Sequence, residues 1–268
     1  MYGYVSIAQL SIEIRNQLYR ISRDVDLIVG IPRSGMIPAY LIGLYLNRMV
    51  TDIETFLANG AAGHGSTRKL SCSLAQLHDA KHVLLVDDSM ATGASMDVAL
   101  QRLRSSEFRG KVSTCAAVVT PSQYRSVDVA FVTVPHPRVF EWNAFHHACV
   151  ENACFDLDGV LCVDPTEQDN DDGERYELFV KTARPLFQPT LRIGHIVSAR
   201  LEKYRGITEQ WLQAHGIRYG ALHLVDLPNK EERIRQDAHS THKIRVYKQR
   251  GAALFYEGDP GQAREIAR

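Results

Sequence analysis

Residues 83–95 read Val-Leu-Leu-Val-Asp-Asp-Ser-Met-Ala-Thr-Gly-Ala-Ser, a strand, a tight turn and a helix start within thirteen positions. The four leading apolar residues have the pattern of a buried strand. Asp87 and Asp88 stand at its C-terminal end, and Ala91, Thr92, Gly93, Ala94 and Ser95 then open the next helix. Neighbouring carboxylates at a strand tip suit a sugar diol, directly or through Mg²⁺. Small residues at a helix start offer backbone N–H groups and hydroxyls to a phosphate. Together they describe a site for a phosphorylated ribose.

Around this segment, strand and helix alternate. An amphipathic helix is expected from about Ser6 to Ser22, with Ile7, Leu10, Ile14, Leu18 and Ile21 on one face. Strands are expected at 26–30, 49–53, 83–87 and 112–119, with helices at 34–47 and 95–104. Residues 58–73, with Gly, Ser and His and little apolar content, read as a loop. A second run of the same rhythm begins at Ala153-Cys154-Phe155-Asp156. It continues through a polar loop at 164–175, a helix to Thr182, a strand at 195–198, and a helix at 208–215. A strand at 222–225, a long polar helix over about 230–250 and a last strand at 253–256 complete it. Such alternation implies mostly parallel sheets with helices on their faces. No internal repeat is present, and a boundary is expected near Val150, because each part carries a complete motif set.

Composition narrows the functional classes. With 268 residues, 45% hydrophobic and 23% charged, the chain suits one large or two moderate globular domains. Lys and Arg (31) balance Asp and Glu (31), with no basic run to favour nucleic acid or an acidic membrane. The N-terminal Met-Tyr-Gly-Tyr-Val-Ser carries no secretory pattern, and the apolar stretch Met36–Leu46 is too short to span a bilayer. Five irregularly spaced cysteines fit reduced thiols in the cytoplasm. His146, His147, Cys149 and Cys154 match no standard zinc spacing.

The segment 83–95 resembles the phosphoribosyl-pyrophosphate motif of type I phosphoribosyltransferases. The resemblance implies that Asp87 and Asp88 hold the ribose hydroxyls and that Ala91, Thr92, Gly93, Ala94 and Ser95 wrap the 5′-phosphate. Gly30-Ile31-Pro32-Arg33-Ser34-Gly35 falls where that family carries its pyrophosphate loop, which makes Arg33, Ser34 and Gly35 candidate binding residues. Arg68 and Lys69 fall where the family has a flexible catalytic loop whose basic residues offset the charge on departing pyrophosphate. Relatives acting on 6-oxopurines carry Asp where this chain has Ala91, which argues against a hypoxanthine- or guanine-type mechanism. The segment 138–143, Arg-Val-Phe-Glu-Trp-Asn, offers a stacking ring and a polar edge for a base, although Phe140 and Trp142 also suit a plain core.

Residues 155–161, Phe-Asp-Leu-Asp-Gly-Val-Leu, resemble the first motif of haloacid-dehalogenase-type phosphatases. That resemblance implies a nucleophile and Mg²⁺ ligand at Asp156, and a second carboxylate, Asp158, that protonates the leaving group and then activates water. Later motifs follow in order: Ser198 to hold phosphoryl oxygens, Lys243 (with Lys248 as competitor) to balance the carboxylates, and Glu257 and Asp259 to join Asp156 and Asp158 around the metal.

The expected fold class is α/β in two domains, each a mostly parallel sheet flanked by helices. Residues 1–150 would take the phosphoribosyltransferase fold. Residues 151–268 would take a Rossmann-like haloacid-dehalogenase fold with minimal cap, its lid supplied by the first domain or a second subunit. The implied function is Mg²⁺-dependent transfer of ribose 5-phosphate from phosphoribosyl pyrophosphate to a nucleobase-like acceptor, followed by hydrolysis of the resulting nucleotide's phosphomonoester. Small molecules would be the substrates, with neither membrane nor nucleic acid as partner, in a cytoplasmic homodimer. Two alternatives remain: a phosphoribosyl-pyrophosphate sensor controlling a phosphatase, and a nucleic-acid end phosphatase, whose relatives share the Ser-Ala-Arg and Thr-Glu-Gln-Trp-Leu segments.

Overall fold

The structure is a computed structural model that describes residues 2–61, 70, 74–170 and 172–268. The chain forms two compact units, Gly3–Trp142 and Met1–Tyr2 with Asn143–Arg268.

The N-terminal unit contains β1 (Gly3–Val5), α1 (Ile7–Asn16), β2 (Leu27–Gly30), α2 (Met36–Leu46), β3 (Met49–Asp52) and α3 (Ile53–Leu57). It continues with β4 (His82–Met90), α4 (Ala94–Ser105), β5 (Lys111–Val119), β6 (Val129–Thr133) and β7 (Arg138–Phe140). Five strands form a parallel sheet in the order β3-β2-β4-β5-β6, and β1 pairs with β7 apart from it. The continuous apolar run of β4 follows from burial on both faces. Val83 and Leu85 point into a core shared with Phe56 of α3 and Met96 and Leu103 of α4. Leu84 and Val86 point into the opposite core with Leu10 and Ile14 of α1 and Ile42 of α2. Each such side chain, removed from water, contributes about 1.5–3 kcal/mol.

Three expectations change here. The first helix ends at Asn16 rather than Ser22, and Leu18–Arg20 form a separate 3₁₀ turn; the Gln17 backbone N–H closes the helix on the Ile14 carbonyl, and its side-chain amide donates to the Phe131 carbonyl at 3.0 Å. Ile53, expected to end a strand, instead begins α3 over Ile53–Leu57, started by the Asp52 carboxylate accepting the Thr55 N–H at 2.9 Å. The central strand runs on to Met90 instead of ending at Asp87, so Asp87 and Asp88 lie inside β4 rather than at its end.

The C-terminal unit contains β8 (Ala153–Phe155), α5 (Glu174–Thr182), β9 (Ile193–Leu201), α6 (Arg205–Ala214) and β10 (Tyr219–Val225). α7 (Lys230–Arg235), α8 (Ala238–Arg250), β11 (Leu254–Tyr256) and α9 (Pro260–Ile266) follow. Its sheet is parallel in the order β10-β9-β8-β11. Phe155 of β8 stacks on Tyr256 of β11 at 4.0 Å between ring centroids, and Trp211 of α6 donates its indole N–H to the Ala183 carbonyl at 2.9 Å. The helix expected over 230–250 is two helices, broken where Asp237 adopts a left-handed conformation, φ 46°. Likewise β9 extends to Leu201, so Ser198 does not end its strand. No helix among the described residues is long and apolar enough to cross a membrane.

Candidate active sites

In the N-terminal unit, register explains how an acidic pair inside a strand still lies at a sheet edge. Pairing of β4 with β2 stops at Gly30 opposite Val86, whereas pairing with β5 continues to Met90 opposite Val119. Asp87 to Met90 therefore project past β2. Asp87 is buried, its Oδ1 accepting the Asp88 N–H at 2.9 Å. Burial first, and the Asp88 charge second, push its carboxyl up to about 7. Asp88 accepts the Trp142 indole N–H at 2.9 Å.

The turn after β4 lines a cavity of about 160 Å³, walled by Asp87, Ser89 and residues 90–96, including Ala91, Thr92, Gly93, Ala94 and Ser95. Gly93 caps α4 at φ 89°, a conformation that costs a residue with a Cβ about 1–2 kcal/mol. Gly93 offers no side-chain cap and the Ala94 N–H turns to the Thr92 hydroxyl at 3.4 Å, while the N-terminus of α4 lies on the cavity wall, where helix-start N–H groups suit an anion. Gly35 brings the 30–35 loop against the same strand end. A Cβ there would lie 2.4 Å from the Ile31 carbonyl oxygen, 2.9 Å from that of Val86 and 3.1 Å from Asp87 Cα. Arg33 beside it is exposed and Ser34 half-buried. Arg68 and Lys69 lie outside the described residues.

The aromatic segment is committed internally. Phe140 is buried and stacks on Trp142 with centroids 4.7 Å apart and planes 6° from parallel. The Arg138 guanidinium lies 5.4 Å over the Phe140 ring and donates to the Met90 carbonyl at 2.9 Å. This stack ties β7 to the tip of β4 and holds Asp88 through Trp142. The two rings of the segment expected to offer a base a stacking ring and a polar edge are stacked on each other, and the Trp142 N–H is donated to Asp88.

The phosphoribosyl transferase domain family matches residues 3–151, more than half of the chain. The chain belongs to the phosphoribosyl transferase domain family. Its N-terminal unit is thus a phosphoribosyltransferase domain, with the strand–turn–helix cavity on that domain. Among solved structures, a xanthine-guanine-hypoxanthine phosphoribosyltransferase from Helicobacter pylori is 18% identical, covering 53% of this chain and 92% of its own, at TM-score 0.40. A purine phosphoribosyltransferase from Pyrococcus horikoshii is 17% identical over 53% and 93%, at TM-score 0.36. A hypothetical protein from Neisseria gonorrhoeae, with ppGpp bound, is 17% identical over 54% and 91%, at TM-score 0.37. No curated protein matches the chain.

The family match ends at residue 151, and the second cavity lies beyond it, in the C-terminal unit. It measures about 340 Å³ and draws Asp156 and Asp158 from the segment after β8, Ser198 and Arg200 from β9, Lys243 from α8 and Glu257 from the segment after β11. β8 pairs with β9 only up to Phe155 opposite Ile196, so Ser198 stands beyond the end of β8 although it lies within β9.

Lys243 is buried and central. Its ammonium donates to Asp156 Oδ2 at 2.6 Å, Glu257 Oε2 at 2.7 Å and Gln262 Oε1 at 2.8 Å, whereas Lys248 is exposed. Burial dominates at Asp156 and raises its carboxyl to about 7, although the Lys243 charge opposes the shift. Asp158 is engaged differently: Arg200, itself fully buried, donates Nη2–H to Oδ1 at 2.6 Å and Nε–H to Oδ2 at 3.2 Å. Asp259 is exposed and caps α9, accepting the Gln262 N–H at 2.7 Å.

Several of these neighbours escaped the sequence. Arg200 was visible as the third residue of Ser-Ala-Arg, with no signal for its partner. Asp164, at the cavity rim, is pushed above the usual carboxylate range, first by lost solvation and then by Asp158 and Glu257. Five carboxylates line this cavity, two of them pushed upward, and supply oxygen atoms of the chemical kind Mg²⁺ takes. Among the described residues, however, no three Asp, Glu, His or Cys side chains converge into a cage. Asp156, Asp158, Glu257 and Asp259 share the cavity with Lys243, Arg200 and a helix cap as their present partners. His146, His147, Cys149 and Cys154 form no cluster either: His146 meets Thr190, His147 accepts the Cys149 N–H, and the Cys149 thiol faces Tyr256.

Proposed function

We propose that the chain couples two reactions. The phosphoribosyltransferase domain transfers ribose 5-phosphate from phosphoribosyl pyrophosphate to a nucleobase-like acceptor, and the C-terminal unit hydrolyses a phosphomonoester, that of the nucleotide formed. In the first step a ring nitrogen of the base bonds to ribose C1 as the bond to pyrophosphate breaks. Asp87 and Asp88 hold the ribose hydroxyls, the 91–95 turn wraps the 5′-phosphate, and Arg33, Ser34 and Gly35 take the pyrophosphate. Arg68 and Lys69 are assigned to the departing pyrophosphate. Binding and orientation do most of the work, because the transition state separates charge rather than exchanging protons.

In the second step an Asp156 oxygen bonds to phosphorus as the ester oxygen leaves with a proton from Asp158. Water activated by Asp158 then splits the aspartyl phosphate. Ser198 orients phosphoryl oxygens, and Lys243 offsets carboxylate charge. Asp156, Asp158, Glu257 and Asp259 would hold Mg²⁺, which when bound offsets phosphoryl charge at this wall. The carrying observation is that Asp156, Ser198 and Lys243, from three separate elements, line one cavity.

The test supplies a base panel, phosphoribosyl pyrophosphate and Mg²⁺, and follows pyrophosphate and phosphate separately. Both should appear, and EDTA should stop both. Asp156→Asn should abolish phosphate release, by about 10³-fold or more, and leave pyrophosphate release intact. No release of either product across the panel refutes the proposal.

A further inference from the structure

The C-terminal cavity holds three buried cations, and two of them are neutralised. Lys243 meets Asp156 and Glu257, and Arg200 meets Asp158. Arg233 is the third. It comes from α7, is only 5% exposed, lines the same wall, and makes no ion pair among the described residues. One guanidinium nitrogen, Nη1, donates to the Ala199 carbonyl at 2.9 Å, and Nε, fully buried, has no acceptor. A guanidinium taken out of water without a carboxylate is costly unless an anion meets it, and its planar fork matches two oxygens of a phosphate or carboxylate. Its one acceptor places it next to Ser198, the hydroxyl assigned to phosphoryl oxygens. Its field is also felt nearby: burial first, then Arg233 and Lys243, push the half-buried His239 below the usual imidazole range. That direction favours the neutral imidazole, a weaker rival than Arg233 for an anion.

We infer that Arg233 is a substrate-binding residue that clamps the oxyanion of a phosphoryl group against the Ser198–Ala199 end of β9. The inference rests on the phosphatase reading for the identity of the group, but not for its charge. An oxyanion of phosphate geometry would take the free guanidinium donors on one side and the Ser198 hydroxyl on the other. Arg200 cannot serve instead, because both its forward donors are spent on Asp158. The same wall thus separates two jobs, with Arg200 fixing an acid and Arg233 receiving the substrate.

Calorimetric titration of the full chain with inorganic phosphate tests this. The wild type should bind it, and Arg233→Met should weaken binding by about 10- to 100-fold, the loss of one charge-assisted contact. Arg233→Lys, which keeps the charge and the stem but not the fork, should fall between, and it carries the test if the Met variant fails to fold. Asp156→Asn, removing a negative charge from the same cavity, should tighten phosphate binding. Phosphate affinity unchanged in Arg233→Lys and Arg233→Met, or no phosphate binding by the wild type, overturns the inference. Failure of the phosphatase reading shows differently: phosphate binds and depends on Arg233, yet no monoester is hydrolysed.

Discussion

Replacing Lys243 by Met removes one charge and keeps nearly the whole apolar stem. The wild-type ammonium sits within 2.6 Å of Asp156 and 2.7 Å of Glu257, whose side chains are 7% and 3% exposed. Without it two buried carboxylates face each other with no cation. Removing one partner of such a pair costs about 3–5 kcal/mol, which for a chain of this size lowers the melting temperature by about 10 °C. The loss depends on pH with a definite sign. Asp156 has its folded carboxyl raised to about 7 with Lys243 opposing the rise, so removing Lys243 raises it further and the loss grows as pH climbs past about 7, where the wild type ionises the group. Below about pH 7 both proteins carry Asp156 protonated, and the difference shrinks. The chain has two tryptophans, and Trp211 belongs to the C-terminal unit, so Trp142→Phe as background makes Trp211 the reporter in urea unfolding. Measurements at pH 8 and pH 5.5 in EDTA should show the larger loss at pH 8, with part of it recovered by adding Asp156→Asn. A loss below about 1 kcal/mol at pH 8, or one that grows on acidification, would refute the role given to Lys243.

Two further expectations concern the N-terminal unit. Gly35→Ala drives a Cβ to 2.4 Å from one carbonyl oxygen and 2.9 Å from another, both backbone, so thermal unfolding should show a loss of about 2–3 kcal/mol together with weaker phosphoribosyl-pyrophosphate binding. For Asp87 the folded carboxyl is raised to about 7 from an ordinary 3.8, so the folded state binds the extra proton and stability falls as pH rises between those values. Asp87→Asn should abolish that fall and leave the variant about 2–4 kcal/mol more stable at pH 8, read by Trp142 fluorescence; an unaltered pH profile would count against the burial argument.

Local pattern carried much of the architecture. The apolar run of β4 named its own double burial, and the turn from Ala91 to Ser95 named a helix start. Where patterns misled, a contact distant in sequence had intervened. The Gln17 side chain is held by the Phe131 carbonyl where the first helix stops, and the polar stretch 230–250 looked continuous because helix periodicity does not register a single left-handed residue such as Asp237. Strand ends were misplaced for a similar reason: β4 and β9 outlast one neighbour while still paired with another, which only the register discloses.

Sequence alone named the candidate site residues, because a strand, an acidic tip and a helix start are written within thirteen neighbouring positions. It also assembled the N-terminal cavity, whose walls are almost all one segment. Tertiary structure decided the partnerships in the second cavity. Lys243 reaches Asp156 across 87 positions and Arg200 reaches Asp158 across 42, and nothing local distinguishes Lys243 from Lys248. Charge pairing is a property of distance in space and of burial, and neither is encoded by the spacing of one residue from its neighbours along the chain.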